Sequence, residues 1–279
     1  MRSIVYAGND FSEICSAEVV ERAANPIVAE AMAVPGRAGA LLVSGYIPPV
    51  DVRVRLFMDM GYNPGFTGMA RMRGTLRRWL SWPGGGSLVL PDDPEVEYRD
   101  AMLVGASDWS NLFEAGECTL TFTLFDPIGW GAERVERTSR FEVGGDWPTL
   151  PEFRVMASAG SYLQVSLPSA GKGIRVDYDF AGGEAVVIDC QGETVLINDA
   201  DARDCMALAS DFFALEPGDC AVSTSNCTYV ETRFCERWAQ HGGLGADALP
   251  VRPAGRADQA PSRGRRARAH RGAERRGHA

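Results

Sequence analysis

The chain has 279 residues, 45% hydrophobic and 23% charged, with a formal net charge of −9. These are ordinary globular values, and the length predicts about two domains. No run of 18 or more apolar residues occurs, which speaks against a membrane-spanning helix.

Charge is placed unevenly. Residues 239–279 hold nine Arg against Asp247, Asp258 and Glu274, a net of +6, which leaves residues 1–238 at −15. An acidic body is a poor nucleic-acid-binding surface, since displacing counterions from phosphates takes Lys and Arg. The N-terminus, MRSIVYAGNDFSEI, reaches acidic residues too soon for a secretory signal, so synthesis and folding in a cytoplasm are expected.

In chain order, Pro48-Pro49 introduces the first clear strand. Val50, Val52, Val54, Leu56 and Met58 alternate with Asp51, Arg53, Arg55, Phe57 and Asp59, a half-buried pattern. Phe66, Met69, Met72, Leu76, Trp79 and Leu80 then recur at three- and four-residue steps and predict one amphipathic helix. Arg71, Arg73, Arg77 and Arg78 fall off that stripe. Its Met and Trp side chains read as packing, not as a ligand site. The helix runs into a Pro83–Gly86 turn, a strand at Ser87–Leu90, an Asp-Asp-Pro turn and an extended run around Tyr98–Val104. Glu117–Phe125 closes the series, with Cys118, Leu120, Phe122 and Leu124 on a dry face and Thr119, Thr121 and Thr123 on a wet one. Asp126-Pro127 stops it. Arg134–Val143 reads as one polar strand, and Gly144-Gly145-Asp146 as a turn at a domain boundary.

From Thr149 onward the pattern is all-β. Glu152–Met156, Tyr162–Leu167, Gly173–Tyr178, Ala185–Asp189, Thr194–Ile197 and Cys227–Phe234 are short strands separated by turn signals, which predicts a β-sandwich. After Trp238 the chain is Gly, Ala, Pro and Arg with few large apolar residues. Such a segment cannot offset its ordering entropy and is expected to be disordered. The expected fold class is therefore α+β to mainly β. It comprises a mixed N-terminal domain at 1–143, a sandwich at 144–238 and an Arg-rich tail at 239–279.

Residues 76–131, together with Val34-Pro35-Gly36-Arg37-Ala38-Gly39, resemble the N-terminal domain of distal tail proteins (Dit), baseplate-hub components of siphophages. The turn fits a PGR-x-G motif that these proteins place before their first long strand pair. Val186–Cys190, Thr194–Asn198 and Phe213–Gly218 resemble the Dit C-terminal domain, a galectin-like sandwich. Arg233–Trp238 is similar to the family's YRERW last strand, with Phe234 at the Tyr position. The resemblance implies a homo-hexameric ring in the virion, at the end of the tail tube and next to a tip protein. The sandwiches would project outward to carry receptor-binding proteins or touch host saccharide, and DNA would pass through the lumen without specific binding.

The residues themselves offer little chemistry. All three histidines (His241, His270, His278) lie in the tail, so no Ser-His-Asp or Cys-His arrangement can form in the body. A glycan hydrolase needs only carboxylates, and Asp92-Asp93 and Asp199-Asp201-Asp204 are the candidates. Turn roles explain the first pair, and the second cluster lacks the Gly and terminal Glu of a calcium loop. Gly84-Gly85-Gly86 has no Lys-Ser/Thr after it and is no phosphate loop. The seven cysteines contain no CxxC pair, and Cys220, Cys227 and Cys235 are too widely spaced for zinc. No catalytic, cofactor or metal residue is expected. The alternative to a structural tail protein is a lectin-like module acting through the sandwich. That reading needs exposed aromatics, whereas Tyr162, Tyr178, Phe180, Phe212 and Phe213 mostly fit core positions.

Overall fold

A computed structural model describes residues 2–22, 27–36, 38–58, 65–81, 83–107, 109–114 and 116–239. The expected Arg-rich tail, with its histidines, lies outside them except for Ala239. The fold is mostly β. Its first half comprises β1 (Val5–Tyr6), β2 (Asn9–Asp10), β3 (Ser16–Arg22), β4 (Val28–Ala33), β5 (Ala40–Tyr46), β6 (Val50–Phe57), α1 (Gly65–Leu80), β7 (Gly86–Leu90), β8 (Asp93–Ser107), α2 (Asn111–Glu114), β9 (Glu117–Leu124) and β10 (Gly129–Glu136).

β6 and β9 pair antiparallel over their full lengths, Val50 opposite Leu124 and Phe57 opposite Glu117. β3 flanks β6, and the second half of β8 flanks β9. The alternation read from the sequence sets the faces of this sheet. Val52, Val54, Leu56, Leu120 and Phe122 are fully buried, while Asp51 and Arg53 face solvent. Leu76 and Leu80 of α1 are buried in the same core, and Met69, Met72 and Trp79 pack against it. Arg71, Arg73, Arg77 and Arg78 are exposed. Helical and pleated periodicities thus converge on one apolar interior. Phe66, the first residue of the expected helical stripe, has a side chain outside the described set.

The second half comprises β11 (Arg140–Val143), β12 (Glu152–Ala157), β13 (Leu163–Leu167), β14 (Lys172–Val176), β15 (Ala185–Asp189), β16 (Thr194–Ile197), β17 (Ala200–Asp201), β18 (Gly218–Ala221), β19 (Ser223–Ser225) and β20 (Cys227–Trp238). β17-β16-β15-β12-β20 form one layer and β14-β13-β19 another, with β11 paired to β18. Phe153, Val155, Leu163, Val165, Ile174, Ile188 and Phe213 fill a second buried core between the layers, as a sandwich requires.

β20 joins the two halves. It pairs with β12 along Cys227–Arg233 and with β10 along Thr232–Trp238, so one continuous sheet runs through both cores. That double pairing explains why the polar run Arg134–Val143 is not one strand. β10 ends at Glu136 after following β20, and β11 restarts at Arg140 against β18. Three further details differ from the sequence reading. A single helical turn, α2, precedes β9. The turn after Leu90 is only Pro91-Asp92, because Asp93 already pairs with Leu90 at the start of β8. β17, β18 and β19 had no apolar alternation to announce them, being two to four residues long.

Candidate functional site

Three of the candidate carboxylates have local structural roles. Asp92 pairs with Arg22 at 3.2 Å. Asn198 and Asp199 both have positive φ (48° and 66°) and form the two-residue turn joining β16 to β17. Asp201 is held by Arg203 at 2.7 Å, which keeps its carboxyl below the usual carboxylate range. Asp92, Asp199 and Asp201 thus each have a local structural partner or turn role. No group of three His, Cys, Asp or Glu side chains is placed to hold a metal among the described residues. Burial, helped by neighbouring Cys118, pushes the Cys15 thiol up to about 12. Cys190 is pushed up to about 11, again mainly by burial. Thiols in that range stay protonated at neutral pH and are poor nucleophiles.

The sandwich aromatics divide. Phe180 and Phe213 are buried as expected, but Tyr178 is 42% exposed. The reason is that β14 ends at Val176, so strand alternation no longer governs residue 178.

Three ionic clusters organise β20 and its surroundings. The Arg237 and Arg99 guanidiniums lie 4.0 and 3.9 Å from the Trp130 ring centre. Asp126 accepts from both Arg237 (2.9 Å) and the Trp130 indole N–H (3.1 Å). Burial pulls the Arg237 pKa down from its ordinary value, against the pull of Asp126. Glu236 binds Arg134 and accepts from the Gly144 amide at 3.2 Å, tying the start of the second half to its last strand.

The third cluster surrounds Glu231, a side chain buried within β20. The Tyr229 hydroxyl donates to it at 2.6 Å, and Arg137 and Arg233 donate from either side. Hydrogen bonds from Tyr229 and Arg233 hold its pKa down at about 2. A carboxylate whose folded pKa is depressed contributes stability above its unfolded value, and loses it as pH falls through the folded one. Acid destabilisation from this group is therefore expected between about pH 4.3 and its folded value. Urea midpoints followed from neutral pH down to about pH 3 should fall less steeply in Glu231→Gln than in the parent. Parallel curves would show that another group carries the acid sensitivity.

The most exposed apolar surface lies elsewhere. β4 and β5 form a two-stranded ribbon outside the main sheet, Val28 opposite Tyr46 and Ala33 opposite Ala40. Every described residue of both strands is exposed. At the ribbon's base, Ile27, Tyr46 and Ile47 face Phe125, Ile128 and Trp147 across a cavity of about 550 Å³.

Residues 144–238 match a family model described as the C-terminal domain of a siphovirus-type tail component. The chain carries a tail-component domain there. Its fold is similar to the crystal structure of phage SPP1 Dit (gp 19.1), described as a paradigm of hub adsorption apparatus in phages infecting Gram-positive bacteria. The TM-score is 0.68 at 18% identity, covering 84% of this chain and 98% of that one. A chain of the phage P2 baseplate, in its activated conformation with Ca, aligns at a TM-score of 0.41 and 7% identity, covering 79% of this chain and 90% of that one. No curated protein sequence matches.

The match over residues 144–238 supports a structural role in a phage tail. Phe125 follows the end of β9 and is 52% exposed. Sequence reading missed the cleft that Phe125 lines, because Ile27 and Phe125 are remote in sequence. Nor did it single out Trp130 between two arginines. The spacing Arg99, Trp130, Arg237 carries no local signal and becomes a cluster only through the pairing of β8, β10 and β20.

Proposed function

We propose that this protein is the hub ring at the distal end of a siphophage tail, assembled as a hexamer in the host cytoplasm. Residues 1–143 form the ring and residues 144–238 an outward sandwich that carries receptor-binding proteins or meets host saccharide. The ring joins the tail tube to the tip protein. The observation that carries this reading is the tail-component match over residues 144–238, on a chain that shares the SPP1 Dit fold over nearly that protein's whole length. Two physical features support it. The apolar surface of the first half is larger than a solitary subunit needs, with Leu42, Val43, Val104 and Phe125 all more than half exposed. The charge of residues 1–238, at −15 per copy, also suits a lumen through which DNA slides without sticking.

Native mass spectrometry of the full chain tests the reading. A hexamer is expected, with assembly favoured by the tail-tube partner. A monomer at every concentration, with and without that partner, would rule the hub out and favour a free carbohydrate-binding module.

A further inference from the structure

Positive charge on this acidic chain is commonly matched. Arg22, Arg53, Arg154, Arg175, Arg203 and Arg237 each hold a carboxylate at 2.6–3.2 Å. Helix α1 departs from that pattern, with four arginines and no Asp or Glu over its 16 residues. Arg71, Arg77 and Arg78 are exposed and have no ion pair among the described residues. A solvated helix is stabilised by opposite charges at four-residue spacing and destabilised by like ones. Arg73 and Arg77 stand at that spacing. Arg77 and Arg78, in the last turn, complement the helix dipole, but Arg71 and Arg73 lie too far from the C-terminus to do so.

Helical spacing sorts these arginines into two flanks of the outward face. Arg71 and Arg78 share one flank, Arg73 and Arg77 the other. Between them Ala70 and Gly74 are both exposed, and a Cβ added at Gly74 would meet nothing within 4 Å. The charged strip is short, about 10 Å from Arg71 to Arg78 along the axis. Guanidinium forks of this kind match carboxylates and phosphates alike. A nucleic acid, however, would bring further phosphates against a body of net −15 over residues 1–238. An acidic helix lying along α1 needs only the strip itself. A second copy has no such helix to offer, since α2, the other α-helix among the described residues, is four residues long.

We propose that the outward face of α1 docks an acidic helix of another tail protein. Arg71 and Arg78 hold carboxylates along one flank and Arg77 along the other, with the partner's backbone seated over Ala70 and Gly74. This inference rests on the hub reading for where the partner comes from. It adds the charge of the partner's surface and the place where that surface seats.

The probe is a Glu-rich helical peptide of about 20 residues, long enough to hold a helix, with a photo-crosslinker at its centre. It is added to the full chain and its cross-links are mapped by mass spectrometry. Cross-links to α1 are expected in the parent and should fall about 10-fold in Arg71→Glu/Arg78→Glu, where attractive pairs become repulsive. Arg140→Glu/Lys172→Glu makes the same charge change at exposed positions of β11 and β14 and should leave the yield unchanged. A peptide with Gln in place of Glu should not react with α1. Melting temperatures check folding, and Arg71→Gln/Arg78→Gln gives a smaller loss in the same direction if the reversed variant folds poorly. Equal yields from the two charge-reversed variants would overturn the proposal, as would cross-links confined to the arginine-rich residues after Ala239. Tighter, Arg71- and Arg78-dependent binding of a DNA duplex would make the face a nucleic-acid surface. Loss of self-association in Arg71→Glu/Arg78→Glu alone would give it to a second copy, and either result sinks the acidic helix. A hexamer without α1 cross-links leaves the hub reading standing and removes the docking; α1 cross-links on a chain that stays monomeric do the reverse.

Discussion

Replacing Phe122 by alanine is expected to destabilise the protein by about 3–5 kcal/mol, the usual cost of emptying an aromatic site in a core. Phe122 lies on β9 between β6 and β8 and is fully buried. Its ring centre is 5.1 Å from that of Tyr6, in a tilted arrangement. Strands border β9 on both edges and β1 reaches the same core, so little can collapse into the void. One residue away, Thr121 points to the opposite, wetter face. Thr121→Val should therefore change stability by no more than about 0.5 kcal/mol. Urea unfolding of both variants, followed by tryptophan fluorescence, makes the comparison. A Phe122→Ala cost below about 1 kcal/mol would mean that the first core is not organised around β9.

Gly145→Ala should be the other severe substitution, and for a different reason. Gly145 has φ +90°, where a side chain strains the backbone, and its added Cβ would press on the Arg237 carbonyl. That carbonyl already accepts the Asp146 and Trp147 amides at 3.0 and 3.1 Å. Making room for a methyl group would separate the 144–147 segment from β20. The φ strain of about 1–2 kcal/mol would add to the lost hydrogen bonds, for roughly 3 kcal/mol in all. Gly171 provides the control. It has φ +64° but nothing within 4 Å of a Cβ, so Gly171→Ala should cost the strain alone. Thermal melting of the two variants decides the matter, and equal losses would show that the Arg237 contact is soft.

Much of this architecture was legible in the chain because it is written locally. The period-two alternation of β6 and β9, the three- and four-residue steps of α1 and the turn residues between sandwich strands depend only on which face of an element is dry. Observed ends of β6 and β9 fall within one residue of those expected. The tail-component likeness of residues 144–238 was legible for the same reason, since ordered blocks and their spacings are properties of the sequence. Where local pattern was weak, the reading failed. Arg134–Val143 has no apolar rhythm, so nothing in it marked the break between β10 and β11.

The sequence by itself determined the strongly patterned strands such as β6 and β9, which face of each is apolar, and that residues 1–238 lack histidine. Tertiary structure alone decided the partners. β20 closes both cores because its two edges pair with strands that lie about 70 and 100 residues earlier. Ile27 and Phe125 share a cleft for the same reason. Periodicity says that a side chain prefers to leave water. It does not say what will cover that side chain, and in the β4–β5 ribbon every described residue is exposed.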